Sequence, residues 1–139
     1  MVATALGLDI GAPAPVGFAS GSVRATLRLE GVAAFATAAA LYVHAGFSWP
    51  MFAVLFLAPD LAMLGYLIGP RTGAAVYNIA HTTALALPLA VAGYLAGLPA
   101  VSAVALIWIA HIGIDRALGY GLKYPTGFGD THLGRIGRR

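Results

Sequence analysis

Four apolar stretches, joined by turns of about three residues, take up nearly all of the chain from residue 29 to residue 120. The first covers about 29–47 ("LEGVAAFATAAALYVHAGF"). The second covers about 51–68, between Pro50 and Gly69-Pro70. The third covers about 72–96, and the fourth about 99–120, opening on Pro99. A helix of about 20 residues crosses the ~30 Å hydrocarbon layer of a bilayer, and each stretch is near that length. The turns "SWP", "GPR" and "GLP" are short enough to make neighbouring helices antiparallel. The same pattern would suit the core helices of a soluble bundle only if those helices had a charged outer face. They do not: charged residues are 9% of the 139-residue chain and mean hydropathy is +0.84, whereas soluble domains carry about 25% charged residues. The expected fold is all-α, a four-helix transmembrane bundle with lipid as its solvent.

The few charges are placed unevenly. With four spans, both termini and the "GPR" turn share one side. That side holds Arg24, Arg28, Arg71, Lys123, Arg135, Arg138 and Arg139, and Arg116 leans toward it from the end of span four. The opposite turns, "GFSWP" and "AGLP", contain no Lys or Arg. The positive-inside rule makes the basic side cytoplasmic, with an affinity for anionic head groups as a corollary. The net charge of +3 is thus a topology signal. No nucleic-acid module or aromatic-interleaved basic patch accompanies it. The chain has no Cys, which excludes disulfides, thiolate metal sites and Cys nucleophiles.

The ends flank this membrane domain of residues 22–122. Residues 1–21, rich in Ala, Gly and Pro, read as a mobile arm without the features of a secretory signal. Ser22 is placed to cap the helix that leads into span one. Residues 123–139 read as a basic cytoplasmic tail. Asp130 and His132 within it also allow a flap over the inner mouth of the bundle.

Inside the spans stand groups that lipid does not tolerate. A charge at the bilayer centre costs at least ~2.5–3.5 kcal/mol, so such groups turn toward a bundle interior. At a rise of ~1.5 Å per residue, Asp60, His81 and His111 reach similar depths on three helices. Asp115 follows His111 at i+4 on the same face, Asn78 precedes His81 by three, and Glu30 stands at the cytoplasmic start of span one. Pro59 and Pro88 free the carbonyls of Leu55 and Ala84, which need partners in lipid; a polar cavity or the hydroxyls of Thr82 and Thr83 would supply them. Gly65 and Gly69, with the Ala-rich first span, permit close helix approach.

Several chemistries fit this set. Asp60, His81, His111 and Asp115 are candidate ligands of a divalent metal, with Glu30 and Asn78 behind them, because carboxylates and imidazoles on facing helices suit Zn, Fe or Mn. No HExxH or ExxH pair strengthens that reading. His81 and His111 at matched depth would also suit the two axial positions of a haem, although nearby carboxylates fit an apolar porphyrin pocket poorly. The same residues would serve as a proton or ion relay. The alternative without chemistry is a hydrogen-bonded network, including Arg116, that fixes helix packing in a subunit of a larger membrane complex. His44, close to Tyr42, Phe47 and Trp49, suits the outer interface. Whether the chain is an enzyme stays open on these residues.

Four segments together resemble one family: "LRLEG" (27–31), "LAPDLAMLGYLIGPRTGAAVYNIAHT" (57–82), "LIWIAHIGIDRALGYGLKYP" (106–125) and "DTHLGRIG" (130–137). It is a widespread bacterial family of small integral membrane proteins classed as a domain of unknown function. The resemblance runs from Leu27 to Gly137 and implies a four-span protein of the bacterial inner membrane. It supplies no activity or cofactor. Its matching motif positions are Glu30, Asp60, Asn78, His81, His111, Asp115, Arg116, Asp130 and His132.

Overall fold

The computed structural model describes residues 17–137. Residues 1–16, most of the predicted N-terminal arm, lie outside the described residues, as do Arg138 and Arg139. Four antiparallel helical spans form the bundle, and a short tail is folded against one end. The elements are α1 (Gly21–His44), α2 (Trp49–Leu55), a 3-10 helix (Ala58–Leu67), α3 (Pro70–Ala80), α4 (Thr83–Leu95), α5 (Pro99–Leu118), β1 (Asp130–Thr131) and β2 (Gly134–Arg135). α1, α2 with the 3-10 helix, α3 with α4, and α5 are each long and apolar enough to cross a membrane.

Span one starts earlier than its apolar core. The helix begins at Gly21, so Ser20 rather than Ser22 occupies the N-cap position, without a side-chain cap bond. Arg24 and Arg28 then lie within α1, and Arg28 Nε donates to the Ala117 carbonyl at 2.7 Å. α1 packs along α5 more extensively than any other pair of elements. Glycine makes this possible. A Cβ on Gly31 would lie 2.6 Å from Ala117 N and from Arg116 Cβ, and one on Gly113 would lie 2.5 Å from Phe35 N. The two backbones therefore cross in direct contact, as small residues allow in membranes. Gly65 plays a similar part between the 3-10 helix and α3, where a Cβ would meet Val76 Cβ at 3.1 Å, but Gly69 faces open space.

Spans two and three are both discontinuous. Pro59 ends α2 in the expected way: without an N–H it cannot continue the α ladder, and the chain tightens into the 3-10 helix. In span three the break is elsewhere. α4 keeps Pro88 inside it, while the helix stops at His81 (φ −113°, ψ 17°) and restarts after Thr82. Thr82 Oγ1 accepts from Ala84 N at 3.2 Å, capping α4. The carbonyls released at the break are taken by α5: Trp108 Nε1 donates to Ala80 O, and Arg116 Nη2 donates to His81 O at 3.0 Å. Irregular backbone within a span persists where protein satisfies it in this way.

The core is thin and made of Ala, Ile and aromatic side chains. Ala38, Ala86, Ala110 and Ile112 form one cluster; Tyr42, Ala103 and Ile107 form another beneath Phe47 and Phe52. Most large apolar side chains point outward instead, among them Val54, Leu64, Leu67, Ile68 and Leu95. Span two contributes no buried residue to its apolar stretch. An outer surface of this kind is stable against lipid rather than water.

Candidate metal centre

The two interruptions lie beside Asp60 and at His81, and they bring both residues against α5. His81 Nε2 stands 3.1 Å from His111 Nε2. Asp60 Oδ1 lies 3.4 Å from His81 Nε2 and 3.5 Å from His111 Nε2; Asp115 Oδ2 lies 3.5 and 3.7 Å from the same two atoms. One ligand atom from each of the four residues falls within 4.8 Å of all the others. Both imidazoles are buried, at 1% and 2% exposure, while the Asp115 and Asp60 side chains retain 15% and 31%.

The surroundings set the state of the imidazoles. His81 Nδ1 lies 2.9 Å from the Tyr77 carbonyl, which can only accept, so the proton is assigned to Nδ1 and Nε2 offers a lone pair to the centre. Tyr77 acts twice more. Its ring stacks on His81 at 3.7 Å and 9°, and its hydroxyl donates to Asp115 Oδ2 at 3.2 Å. Sequence reasoning passed over Tyr77. Its position four residues before His81, one helical turn away, was the available signal. Phe56 packs edge-on to His111 at 5.5 Å, and His111 Nδ1 is buried without a hydrogen-bond partner.

The residues placed behind the ligands by sequence have other positions. Glu30 is exposed on α1 and stands outside the group of four. Asn78 turns to the tail instead: its Nδ2 donates to Lys123 O at 2.9 Å and its Oδ1 accepts from Lys123 N at 2.7 Å. Arg116 spans the His81 and Tyr120 carbonyls. Asp130 serves the tail itself, accepting from Thr126 Oγ1 at 2.8 Å and standing 3.5 Å from Arg135 Nε.

The tail closes the adjacent end of the bundle. Leu122 N donates to His132 Nδ1 at 2.8 Å, and Tyr124 Oη donates to Gly17 O at 2.7 Å. Lys123 is only 5% exposed. Its ammonium donates to Phe128 O at 2.9 Å and sits over the rings of Phe128 and Tyr77, 3.9 and 4.8 Å from their centroids. Burial pushes Lys123 below the ordinary lysine range, and the Asp115 and Asp60 carboxylates oppose that shift.

Two apolar hollows are lined by residues other than the four clustered ones. A cavity of about 220 Å³ is walled by Pro59, Ala80, Ile107 and Trp108, with Ala58 and Val104 among its outer residues. A larger hollow of about 780 Å³ lies at the far end of the bundle, where His44 is among its lining residues with Leu41, Phe47 and Tyr94. It contains none of the four clustered residues.

Residues 24–136 match the family model described as a domain of unknown function, DUF4260. The chain belongs to that family. No curated protein and no solved structure matches it.

Proposed function

We propose that this member of DUF4260 is a multi-pass protein of the bacterial inner membrane, with both termini cytoplasmic, that binds one divalent metal ion through Asp60, His81, His111 and Asp115. The spacing of the four ligand atoms carries the reading. Ligands about 2.0–2.1 Å from a tetrahedral ion are separated by edges of about 3.3–3.4 Å. Five of the six edges here measure 3.1, 3.4, 3.5, 3.5 and 3.7 Å. Two imidazole nitrogens and two carboxylates make a harder donor set than thiolates and suit Zn, Fe or Mn. The Tyr77 carbonyl supports His81 in the manner of outer-sphere partners of metal-bound histidines. A haem reading is weaker, because nitrogens 3.1 Å apart leave no room for a porphyrin between them.

One observation favours a second reading. The buried Lys123 and the half-buried Arg116 stand close to the cluster, over the Tyr77 ring and at His81 O, and a neutral His111 can donate from Nε2 to His81 Nε2. That describes a network holding the helices of a subunit in a larger membrane complex. Elemental analysis of detergent-purified protein separates the two. The metal reading expects one equivalent of a divalent metal, restored after chelation and lost on His111→Ala while the helical content is retained. A folded wild-type chain that takes up no Zn, Fe or Mn after chelation leaves the network reading standing.

A further inference from the structure

Backbone packing divides the bundle into two bodies. α1 and α4 pack along α5, and α2 joins them through Phe52 and Phe56, which lie against both apolar clusters. The 3-10 helix and α3 pack on each other, Gly65 against Val76 and Gly73 against the Tyr66 ring. Among the described residues, no comparable backbone packing joins this hairpin, residues 58–80, to α5. Both of its ends leave helical geometry: Leu57 stands at φ −94°, ψ 0° and His81 at φ −113°, ψ 17°. Element ends of this kind are where backbone torsions absorb a hinge motion.

What ties the hairpin to α5 is polar. Trp108 Nε1 donates to Ala80 O, Arg116 Nη2 to His81 O at 3.0 Å, and Tyr77 Oη to Asp115 Oδ2 at 3.2 Å. The four candidate ligands straddle the same seam. Asp60 and His81 stand at the two ends of the hairpin, His111 and Asp115 on α5. A carboxylate oxygen of Asp60 and one of Asp115 lie within 4.8 Å of each other. Two carboxylates facing across a seam repel, and a divalent ion between them turns the repulsion into attraction. Apolar contact adds little between helices in lipid, so this electrostatic difference decides how closely the hairpin lies on α5.

We infer that the ion is a clasp: residues 58–80 form a hinged hairpin, pivoting at Pro59 and at His81, that closes on α5 when the centre is loaded and swings from it when the centre is empty. This rests on the metal reading above. The ligands lie at the pivots, so a small shift there is enlarged at the Gly69-Pro70 tip, about 20 Å away along the 3-10 helix. The tail spans the same seam. Asn78 of the hairpin holds both the N–H and the carbonyl of Lys123, while on the α1 side Ala19 N donates to His132 O at 2.8 Å. Metal occupancy is thereby coupled to the docking of the tail.

Spin-label distances measured by pulsed electron resonance in detergent test this, with diamagnetic zinc as the ion and the Cys-free chain as background. The reporting pair is Val23→Cys with Leu67→Cys, at exposed positions of α1 and the hairpin. The control pair is Val23→Cys with Leu95→Cys, at exposed positions of α1 and α4. With one zinc bound, both pairs are expected to give a single narrow distance. After chelation the reporting distance is expected to shift by at least about 5 Å, the rise of one helical turn, and to return when zinc is restored, with the control pair unmoved. Asp60→Asn removes the repulsion across the seam, so its zinc-free form is expected to keep the closed distance; Asp115→Asn makes the same test if that variant does not fold. One bound zinc per chain with the same reporting distance before and after chelation overturns the inference and leaves the metal reading intact. Equal movement of both pairs, or loss of helical content on chelation, also overturns it, because the ion then holds the whole bundle rather than the hairpin. Zinc-free Asn variants that open as the wild type does overturn it as well. Failure of the wild type to bind zinc overturns the metal reading first.

Discussion

Tyr77 holds the centre together more than any ligand does by itself. Its carbonyl sets the His81 tautomer, its ring stacks on His81, and its hydroxyl reaches Asp115. Tyr77→Phe keeps the carbonyl and the ring and removes only the hydroxyl bond. Loss of such an outer partner typically lowers metal affinity by about 10–100-fold, so chelator competition should show weaker metal retention at unchanged helicity. An affinity equal to wild type would mean that the Tyr77 hydroxyl does not support Asp115 as a ligand. A second residue-scale prediction concerns His132. Burial, and next the charge of Arg116, push its imidazole below the ordinary histidine range. In the undocked tail His132 titrates near its ordinary value of about 6.5. The undocked state therefore binds more protons, and docking weakens as pH falls below that value. Protonation also removes the Nδ1 lone pair that accepts from Leu122 N. Hydrogen exchange at the Leu122 amide, corrected for its intrinsic rate, should be faster relative to the α5 core at pH 5.5 than at pH 7.5. His132→Asn should flatten that difference.

At the scale of elements, the site is made by two interrupted helices leaning on two continuous ones. Pro59 announces the first interruption in the sequence, since its effect on the helix is local and steric. The second is not announced. Pro88 looks like the breaker of span three, yet α4 runs through it, and the chain breaks at His81 with no proline or glycine there. That break exists because Trp108 and Arg116 on α5 satisfy the exposed carbonyls of Ala80 and His81, and those partners are 28 and 35 residues away. The α1–α5 crossing can be probed in the same terms. Gly113→Ala would raise intrinsic helix propensity by about 1 kcal/mol, but its Cβ would stand 2.5 Å from Phe35 N. Overpacking of this kind typically costs about 1–3 kcal/mol. Thermal unfolding in micelles should therefore show a lower Tm. A higher Tm would mean that the backbones do not meet there.

For the whole molecule, the relation between surface and solvent decides. Large aliphatic side chains cover the outside of the bundle, and all eight Lys and Arg residues are placed by sequence at or toward one end. The chain has no Cys, so single-Cys labelling reads its topology directly. Ser48→Cys, in the turn between α1 and α2, should react with a membrane-impermeant maleimide on intact spheroplasts. Thr126→Cys in the tail should react only after lysis. The reverse pattern would place the termini outside.

What the sequence determined alone is what depends on composition and on neighbours within a turn or two. Four spans, their antiparallel order, the α2 interruption and the matched depths of Asp60, His81 and His111 all follow from hydropathy, turn length, proline and helical rise. Tertiary structure decided which polar groups meet. Glu30 and Asn78 have suitable depths, yet one is exposed and the other holds Lys123, because rotation of a helix about its axis is set by the facing helix and not by its own residues. The same packing turned a tail with no predicted fold of its own into a cover stapled by His132, Tyr124 and Lys123. Depth is a one-dimensional property that a chain carries with it; facing is a relation between two surfaces, and it exists only once Gly31, Gly113 and Trp108 have brought the helices together.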